Sequence, residues 1–397
     1  MTAILLALAA SWTALLVWLN RRQAAHLRTL GAGAGAGAGE GWLDAASART
    51  AIDVTLARTR LTIAGTLAEG AVVALLLGGG VAALDRLFAA FGPVAGAVVL
   101  VTVVVALRGA VRLAVQAAGV FGIDARHGLN RASPGLFLAD AAKRAALSAA
   151  LGLPVLAAVA WLADRGGAAW WLWAWGLWFA VAVLRTAVQP LVAATVLNRS
   201  APLADARLAG RLEALLTRCG LRLGAVRVVD ASRRTRRANA SVVGLGAARR
   251  IMLHDTLLDR LAEDEVEAVV AHEAGHARHH HVARYLAGMA ATGFAAFAAL
   301  AVLGPMAGGS VGERLAVFVL ALPLVGLFLR PMAVRILRGW EYQADAFAAR
   351  NTSAEALSRA LVKLYAANAN APGGDPLHAA FHASHPEPAQ RLARLRA

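Results

Sequence analysis

Apolar residues in this chain fall mostly in long, nearly unbroken runs. Seven of them, residues 2–19, 61–83, 87–107, 145–163, 168–190, 285–306 and 311–329, are long enough as helices to cross about 30 Å of hydrocarbon. The pattern changes between the fifth and sixth runs. Residues 207–218 repeat apolar positions at helical spacing, and 226–230, 240–245 and 250–253 read as short strands. Glu263, Asp264 and Glu265 then open a helix with acids at its first turn, where the backbone dipole favours negative charge. After the seventh run, 340–350 and 352–367 read as two further helices. The expected fold is mainly α: a polytopic membrane protein of about seven transmembrane helices with a small α+β domain. The expected division is 1–197 with five spans, 198–284 as a catalytic segment, 285–329 as spans six and seven, and 330–397 as a second catalytic segment.

Composition supports the membrane reading. Hydrophobic residues make up 59% of the 397, and the mean hydropathy of +0.58 lies outside the range of ordinary soluble enzymes. The net charge of +16 raises a nucleic-acid partner, but its distribution argues for topology instead. Arg21, Arg22, Arg28, Arg49, Arg58 and Arg60 fall between the first two spans, and Arg108, Arg112, Arg126, Arg131, Lys143 and Arg144 between the third and fourth. The alternate loops offer only the self-neutralising pairs Asp85-Arg86, Asp164-Arg165 and Glu313-Arg314. The positive-inside rule then places the N-terminus outside, and segment 198–284 and the C-terminus in the cytoplasm. With no basic segment ahead of it and Asn20-Arg21-Arg22 behind it, the first run reads as an uncleaved span rather than a signal peptide. The Arg-dominated, Ala-rich composition points to a GC-rich bacterial genome, hence the inner membrane, with membrane lipids as partners and no nucleic acid.

Smaller features add less. The Gly-Ala tract at 31–39 reads as a flexible linker, and the run Trp170, Trp171, Trp173, Trp175, Trp178 as an interfacial aromatic belt. The cluster Arg233, Arg234, Arg236, Arg237 reads as a solvated basic loop, with a substrate C-terminus or anionic headgroups as alternative contacts. Cys219 is the single cysteine, which excludes an intramolecular disulfide and a thiolate metal cluster.

The chemistry must therefore rest on histidine and carboxylate. His272-Glu273-Ala274-Gly275-His276 puts two imidazoles on one helical face, where both reach one Zn²⁺, and Glu341 supplies a third ligand from a second helix. One position stays open for water. Glu273 is turned about 100° from His272 and points beside the metal, where a general base belongs. One zinc per chain and a peptide substrate follow from this reading.

Several separate stretches resemble the zinc-dependent, multi-span CAAX prenyl proteases, the type I CAAX endopeptidases of the gluzincin kind. They are residues 55–60, 121–124 through 135–140, Asn239-Ala240 with Gly244, the His-Glu-x-x-His motif, Glu341-x-x-x-Asp345, and Ser384-His385-Pro386 with Arg391. The resemblance implies His272, His276 and Glu341 as zinc ligands, Glu273 as base, and Asp345 as a carboxylate orienting a ligand histidine. It implies His385 and Arg391 as groups steadying the oxyanion, and Asn239 and Ala240 on an edge strand that holds substrate backbone. His281 also matches a position of the family, whereas His279 and His280 read as solvent or interface residues. Ser241 and Ala277 depart from its pattern, which has aromatics there. The implied reaction is removal of the C-terminal tripeptide from proteins bearing a prenylated cysteine. A general membrane quality-control zinc protease acting on unprenylated proteins stands as the alternative, with a non-catalytic scaffold or transporter as the rival of another class.

Overall fold

The computed structural model describes residues 2–32, 42–192, 199–221, 226–244 and 249–396. Residues 33–39 of the Gly-Ala tract, and Leu245 at the expected end of a strand, lie outside them. The first half is a bundle of long helices: α1 (Thr2–Ala32), α2 (Ala45–Leu75), α3 (Val81–Phe88), α4 (Pro93–Ala117), α5 (Pro134–Arg165) and α6 (Trp170–Val192). A π-helical turn, Leu76–Gly80, joins α2 to α3, with Gly79 at φ 133°, a conformation that L side chains resist. A second π-helical stretch, Ala118–Asp124, extends α4.

A four-stranded sheet follows, built from β1 (Ser200–Pro202), β2 (Arg227–Val229), β3 (Ala240–Val243) and β4 (Arg250–His254). Its order is β1-β2-β4-β3, with β2 and β4 parallel and the outer pairs antiparallel, so β3 is an edge strand. Strand β1 was not legible in the sequence, being three residues long and ending in Pro202. Around the sheet lie α7 (Ala206–Arg218), α8 (Asp255–Leu258) and α9 (Glu263–Arg278). The chain then runs through α10 (His281–Ala307), α11 (Val311–Asn351), α12 (Ala354–Ala367), α13 (Pro376–His382) and α14 (Pro388–Arg396).

Among the described residues, 7 helical rods are long and apolar enough to cross a membrane, as expected. Their ends are not where hydropathy puts them. Helix α2 begins at Ala45, well ahead of its apolar run, and α4 continues through Arg108 and Arg112, which were expected in a loop. Instead Arg108 is buried, its Nε and Nη2 donating to Glu69 Oε1 at 3.1 and 2.6 Å, with Arg112 Nη2 on the same oxygen at 2.7 Å. The largest difference is α11, a single 41-residue helix where two were expected; the boundary drawn at 329/330 falls inside it. Hydropathy reports where lipid ends, but helical hydrogen bonds are local and continue through polar sequence.

Two large apolar cores form among the described residues. One lies among the membrane helices, around Leu76, Leu100, Val104, Leu315 and Leu320. The other lies under the sheet, where Leu212, Leu215, Ile251, Leu253 and Leu257 share a core with Val270 of α9, and Trp42 from the segment before α2 packs edge-on against Tyr365. Cys219 belongs to this second core, and burial pushes its thiol up. The tryptophans of α6 also serve packing. Trp171 and Trp175 meet Phe294 edge-on, Trp178 lies against Phe297, and Trp175 Nε1 donates to the Ala290 carbonyl at 3.0 Å, fastening α6 to α10.

The basic cluster at 233–237 is solvated, as expected, at Arg233 and Arg236, but not at Arg234 and Arg237. It docks against the segment between α4 and α5: Arg131 N–H donates to the Arg234 carbonyl and Arg236 N–H to the Leu129 carbonyl, both at 3.0 Å. Arg234 grips Asp140 through Nε at 2.7 Å and Nη2 at 3.2 Å, and Arg237 approaches Asp124 at 3.5 Å. Carboxylates distant in sequence collect these arginines, which local composition does not report.

Candidate metal centre and active site

Helix α9 starts as its sequence predicts. Glu265, fully buried, accepts from Ala262 N–H at 2.9 Å and from Lys363 Nζ at 2.6 Å, and Arg211 holds Glu263 at 2.8 Å and also reaches Glu267. One face of α9 is thereby fixed against α12 and α7. On another face Gly275 meets α11: a Cβ there would stand 2.9 Å from Ala344 Cα and 3.1 Å from Phe347 Cβ. Only glycine permits this approach. It brings the His272/His276 face up to Glu341 and Asp345.

His272 Nε2 and His276 Nε2 lie 3.2 Å apart, Glu341 Oε2 is 3.6 Å from the first, and Glu341 Oε1 is 3.4 Å from the second. Ligand atoms at about 2.0–2.1 Å from a tetrahedral ion are separated by about 3.3–3.4 Å. The three groups thus stand at the spacing a zinc-sized ion requires, two of them buried and the third partly so. Burial works against protonating His276, yet the hydrogen bond to Glu341 and the charges of Glu273 and Glu341 outweigh it and hold the imidazole above its ordinary range.

Both histidines are held from behind. His272 Nδ1 lies 2.8 Å from Asp345 Oδ1. Asp345 in turn receives Arg391 Nε at 2.8 Å and Nη2 at 2.5 Å, and Arg391 Nη1 donates to the Tyr365 hydroxyl at 3.4 Å. All three nitrogens of this buried guanidinium are engaged. Burial opposes its charge, but the bond to Asp345 more than compensates and raises Arg391 above its ordinary range. On the other side, His276 Nδ1 is 2.9 Å from His281 Nδ1, and His281 Nε2 is 3.0 Å from Gln343 Oε1. With His276 Nε2 turned to the ligand set, its Nδ1–H donates to His281 Nδ1, and His281 Nε2–H donates to Gln343. His281 is 3% exposed and stacks on Trp340 at 4.9 Å and 7°.

Glu273 lies beside the ligand trio rather than in it, its Oε2 accepting from Val242 N–H of β3 at 3.2 Å. His385 sits on the rim with its side chain 65% exposed and Nδ1 2.8 Å from Glu341 Oε2. Ala240, half-buried, opens the edge strand, and Asn239, exposed, immediately precedes it. The structure therefore brings His272, His276, Glu341, Asp345, His385 and Arg391 into one cluster, with Glu273 joining it to the edge strand at Val242, but it sets Arg391 on Asp345 rather than free above the metal position. Gln343, Trp340 and Tyr365 were not singled out. Gln343 stands inside the Glu341–Asp345 stretch, but nothing in its spacing shows that His281 comes round to meet it.

A His-His-Glu trio with two members buried, an adjacent carboxylate and an edge strand, set beside helices that are long and apolar enough to cross a membrane, define a membrane-embedded metallopeptidase. Residues 202–397 match the model of peptidase family M48, and residues 38–199 match "CAAX prenyl protease N-terminal, five membrane helices". The chain belongs to peptidase family M48, whose members hold a metal, generally zinc, and act on peptides or proteins. It is 32% identical over 285 residues to a CAAX prenyl protease 1 homolog of Arabidopsis thaliana, a match covering 68% of this chain and 66% of that one, just under two thirds of the relative's length. The corresponding protein of Oryza sativa subsp. japonica is also 32% identical, over 69% of this chain and 67% of its own. The crystal structure of S. mikatae Ste24p has the same fold, with a TM-score of 0.89 at 23% identity, covering 99% of this chain and 98% of that one.

Proposed function

We propose that this protein is a zinc endopeptidase that releases short C-terminal peptides of the CAAX type from prenylated proteins, with one Zn²⁺ held by His272, His276 and Glu341. The observation that carries the reading is the tetrahedral-edge spacing of the three ligand atoms, with Glu273 beside them and an open strand edge alongside. The named activity of the relatives supports the substrate class.

A bound zinc would polarise the scissile carbonyl and acidify water in the open position. Glu273 takes the proton of the attacking water and passes it to the leaving amine, while Val242 N–H keeps its carboxylate turned toward the cleft. The substrate lies extended along β3, where Asn239 and Ala240 present the main chain to it. His385, exposed on the rim, donates to the developing oxyanion. Arg391 acts through Asp345 and His272 as a positioning residue, and His281 with Gln343 does the same for His276. The charge bias of the sequence supports a catalytic site and C-terminus on the cytoplasmic side, and its Arg- and Ala-rich composition a bacterial inner membrane, where surrounding lipid would receive the prenyl chain.

The test is hydrolysis of a farnesylated C-terminal peptide and its unprenylated twin by the detergent-purified, zinc-loaded protein, with Glu273→Gln as control. Selective cleavage of the farnesylated peptide is the expected result. Equal cleavage of both would give the substrate class to a general quality-control protease, and turnover that survives Glu273→Gln would overturn the catalytic assignment.

A further inference from the structure

The open edge of β3 is closed at one end. In its antiparallel register with β4, Asn239 accepts from His254 N–H at 3.0 Å, so residues 239, 241 and 243 bond to β4 while Ala238, Ala240 and Val242 turn their main-chain groups outward. At Val242 the outward N–H meets Glu273. At Ala238 both outward groups are taken by one side chain: Asn368 Oδ1 accepts from Ala238 N–H at 2.9 Å, and Asn368 Nδ2 donates to the Ala238 carbonyl at 3.0 Å. Asn368 thus stands where the next strand would continue, and a peptide added to this edge can run past Val242 and Ala240 but not past Ala238.

Positive charge sits immediately behind this stop. Arg237 Nη1 donates to the Asn368 carbonyl at 2.8 Å, and its Nη2, buried without a hydrogen-bond partner, stands 3.5 Å from Asp124 Oδ1. Arg58 Nη2 bonds both oxygens of the same carboxylate, one at 2.6 Å. Two guanidiniums share one carboxylate, and neither has another ion pair among the described residues. Burial, and then the like charge of Arg58, hold Arg237 below its ordinary range, as befits a cation short of counter-charge. Part of each side chain stays in contact with solvent, 40% of Arg58 and 26% of Arg237.

We infer that Arg58 and Arg237 form the subsite for the C-terminal carboxylate of the peptide substrate, and that Asn368 sets how far the chain end extends beyond the cleaved bond. This inference rests on the peptidase reading above. A peptide joining β3 antiparallel points its C-terminal end toward Ala238, and the excess positive charge there attracts a carboxylate and repels an ammonium group. From Ala240 to Arg237 is about three residues, or about 10 Å of extended chain, the length of a tripeptide. Arg58 comes from α2 and Asp124 from the π-helical end of α4, so the membrane half completes a specificity subsite on the catalytic half.

The experiment compares a farnesylated CAAX-type peptide bearing a free C-terminal carboxylate with its C-terminal amide, using the full-length, zinc-loaded protein in detergent. Wild type is expected to favour the acid by about tenfold in kcat/KM. Arg237→Gln and Arg58→Gln should each bring that ratio toward one, and Arg237→Lys should restore part of it. A wild-type ratio near one, or an unchanged ratio in both glutamine variants, overturns the subsite. If wild type cleaves neither peptide, the peptidase reading is what fails. The subsite is then decided without turnover, by calorimetry of a tripeptide acid and its amide on Glu273→Gln protein: tighter binding of the acid, lost in Glu273→Gln/Arg237→Gln, supports it, and equal binding overturns it.

Discussion

Glu273 and His281 do different work on either side of the same ligand, His276, and their substitutions should separate. Glu273→Gln keeps the size of the side chain and leaves the His272, His276 and Glu341 atoms in place, so metal content should stay at the wild-type level while hydrolysis falls by about 10²–10⁴-fold. Metal analysis beside a peptide assay reads both. His281→Ala instead removes the acceptor that fixes the His276 tautomer, and metal affinity should weaken by about 10–100-fold in a chelator competition. His276 also sets a pH dependence. Its pKa in the metal-free protein is raised above the ordinary 6.5, so protonation stabilises that form fully below 6.5, and the contribution disappears as pH rises through the raised value. Metal competes with the same proton. Affinity is therefore expected to begin falling, as pH is lowered, above the pH at which an ordinary imidazole would protonate; metal titrations between about pH 5.5 and 8.5 check the direction.

At the scale of elements, the site depends on how closely α9 and α11 approach. Gly275 faces Ala344 Cα across that contact, and any Cβ must push backbone away from backbone rather than displace a flexible side chain end. Gly275→Ala should cost about 1–3 kcal/mol of packing strain. Because Glu341 and Asp345 ride on α11, the separation should also widen the ligand triangle and reduce metal occupancy. Metal content measured on folded, monodisperse Gly275→Ala protein distinguishes this from general instability: full occupancy would show that α11 tolerates the displacement.

Across the whole molecule, the membrane bundle and the catalytic domain are joined by charge as well as by chain. Arg234 reaches Asp140 on α5, Arg58 and Arg237 share Asp124, and Arg22 on α1 reaches Asp375 ahead of α13 at 2.9 Å. The Arg234–Asp140 pair is mostly buried and bidentate, so Asp140→Ala removes the nearest counter-charge of the guanidinium and should destabilise the domain contact by about 2–3 kcal/mol, lowering the thermal midpoint in detergent. Removing both charges together should cost less than removing Asp140 alone, which a double-mutant cycle measures.

Much of this protein could be read along the chain because the determining interactions are local or are with lipid. The apolar runs follow from the thickness of hydrocarbon, which acts on each helix separately. His272 and His276 share a face because the helix repeat is fixed, and the acids at 263–265 mark where α9 begins. Glu341 and Asp345, one turn apart, were recognisable as a second half of the same site. Tertiary structure alone decided the rest, since it concerns groups brought together from distant segments. The continuity of α11 through Arg330–Gly339, the meeting of His281 with Gln343, the hold of Arg391 on Asp345, and the convergence of Arg58, Asp124, Arg237 and Asn368 at the end of β3 leave no periodicity in the sequence. Periodicity records what one element presents to solvent or lipid; which charge answers which depends on how the elements are stacked.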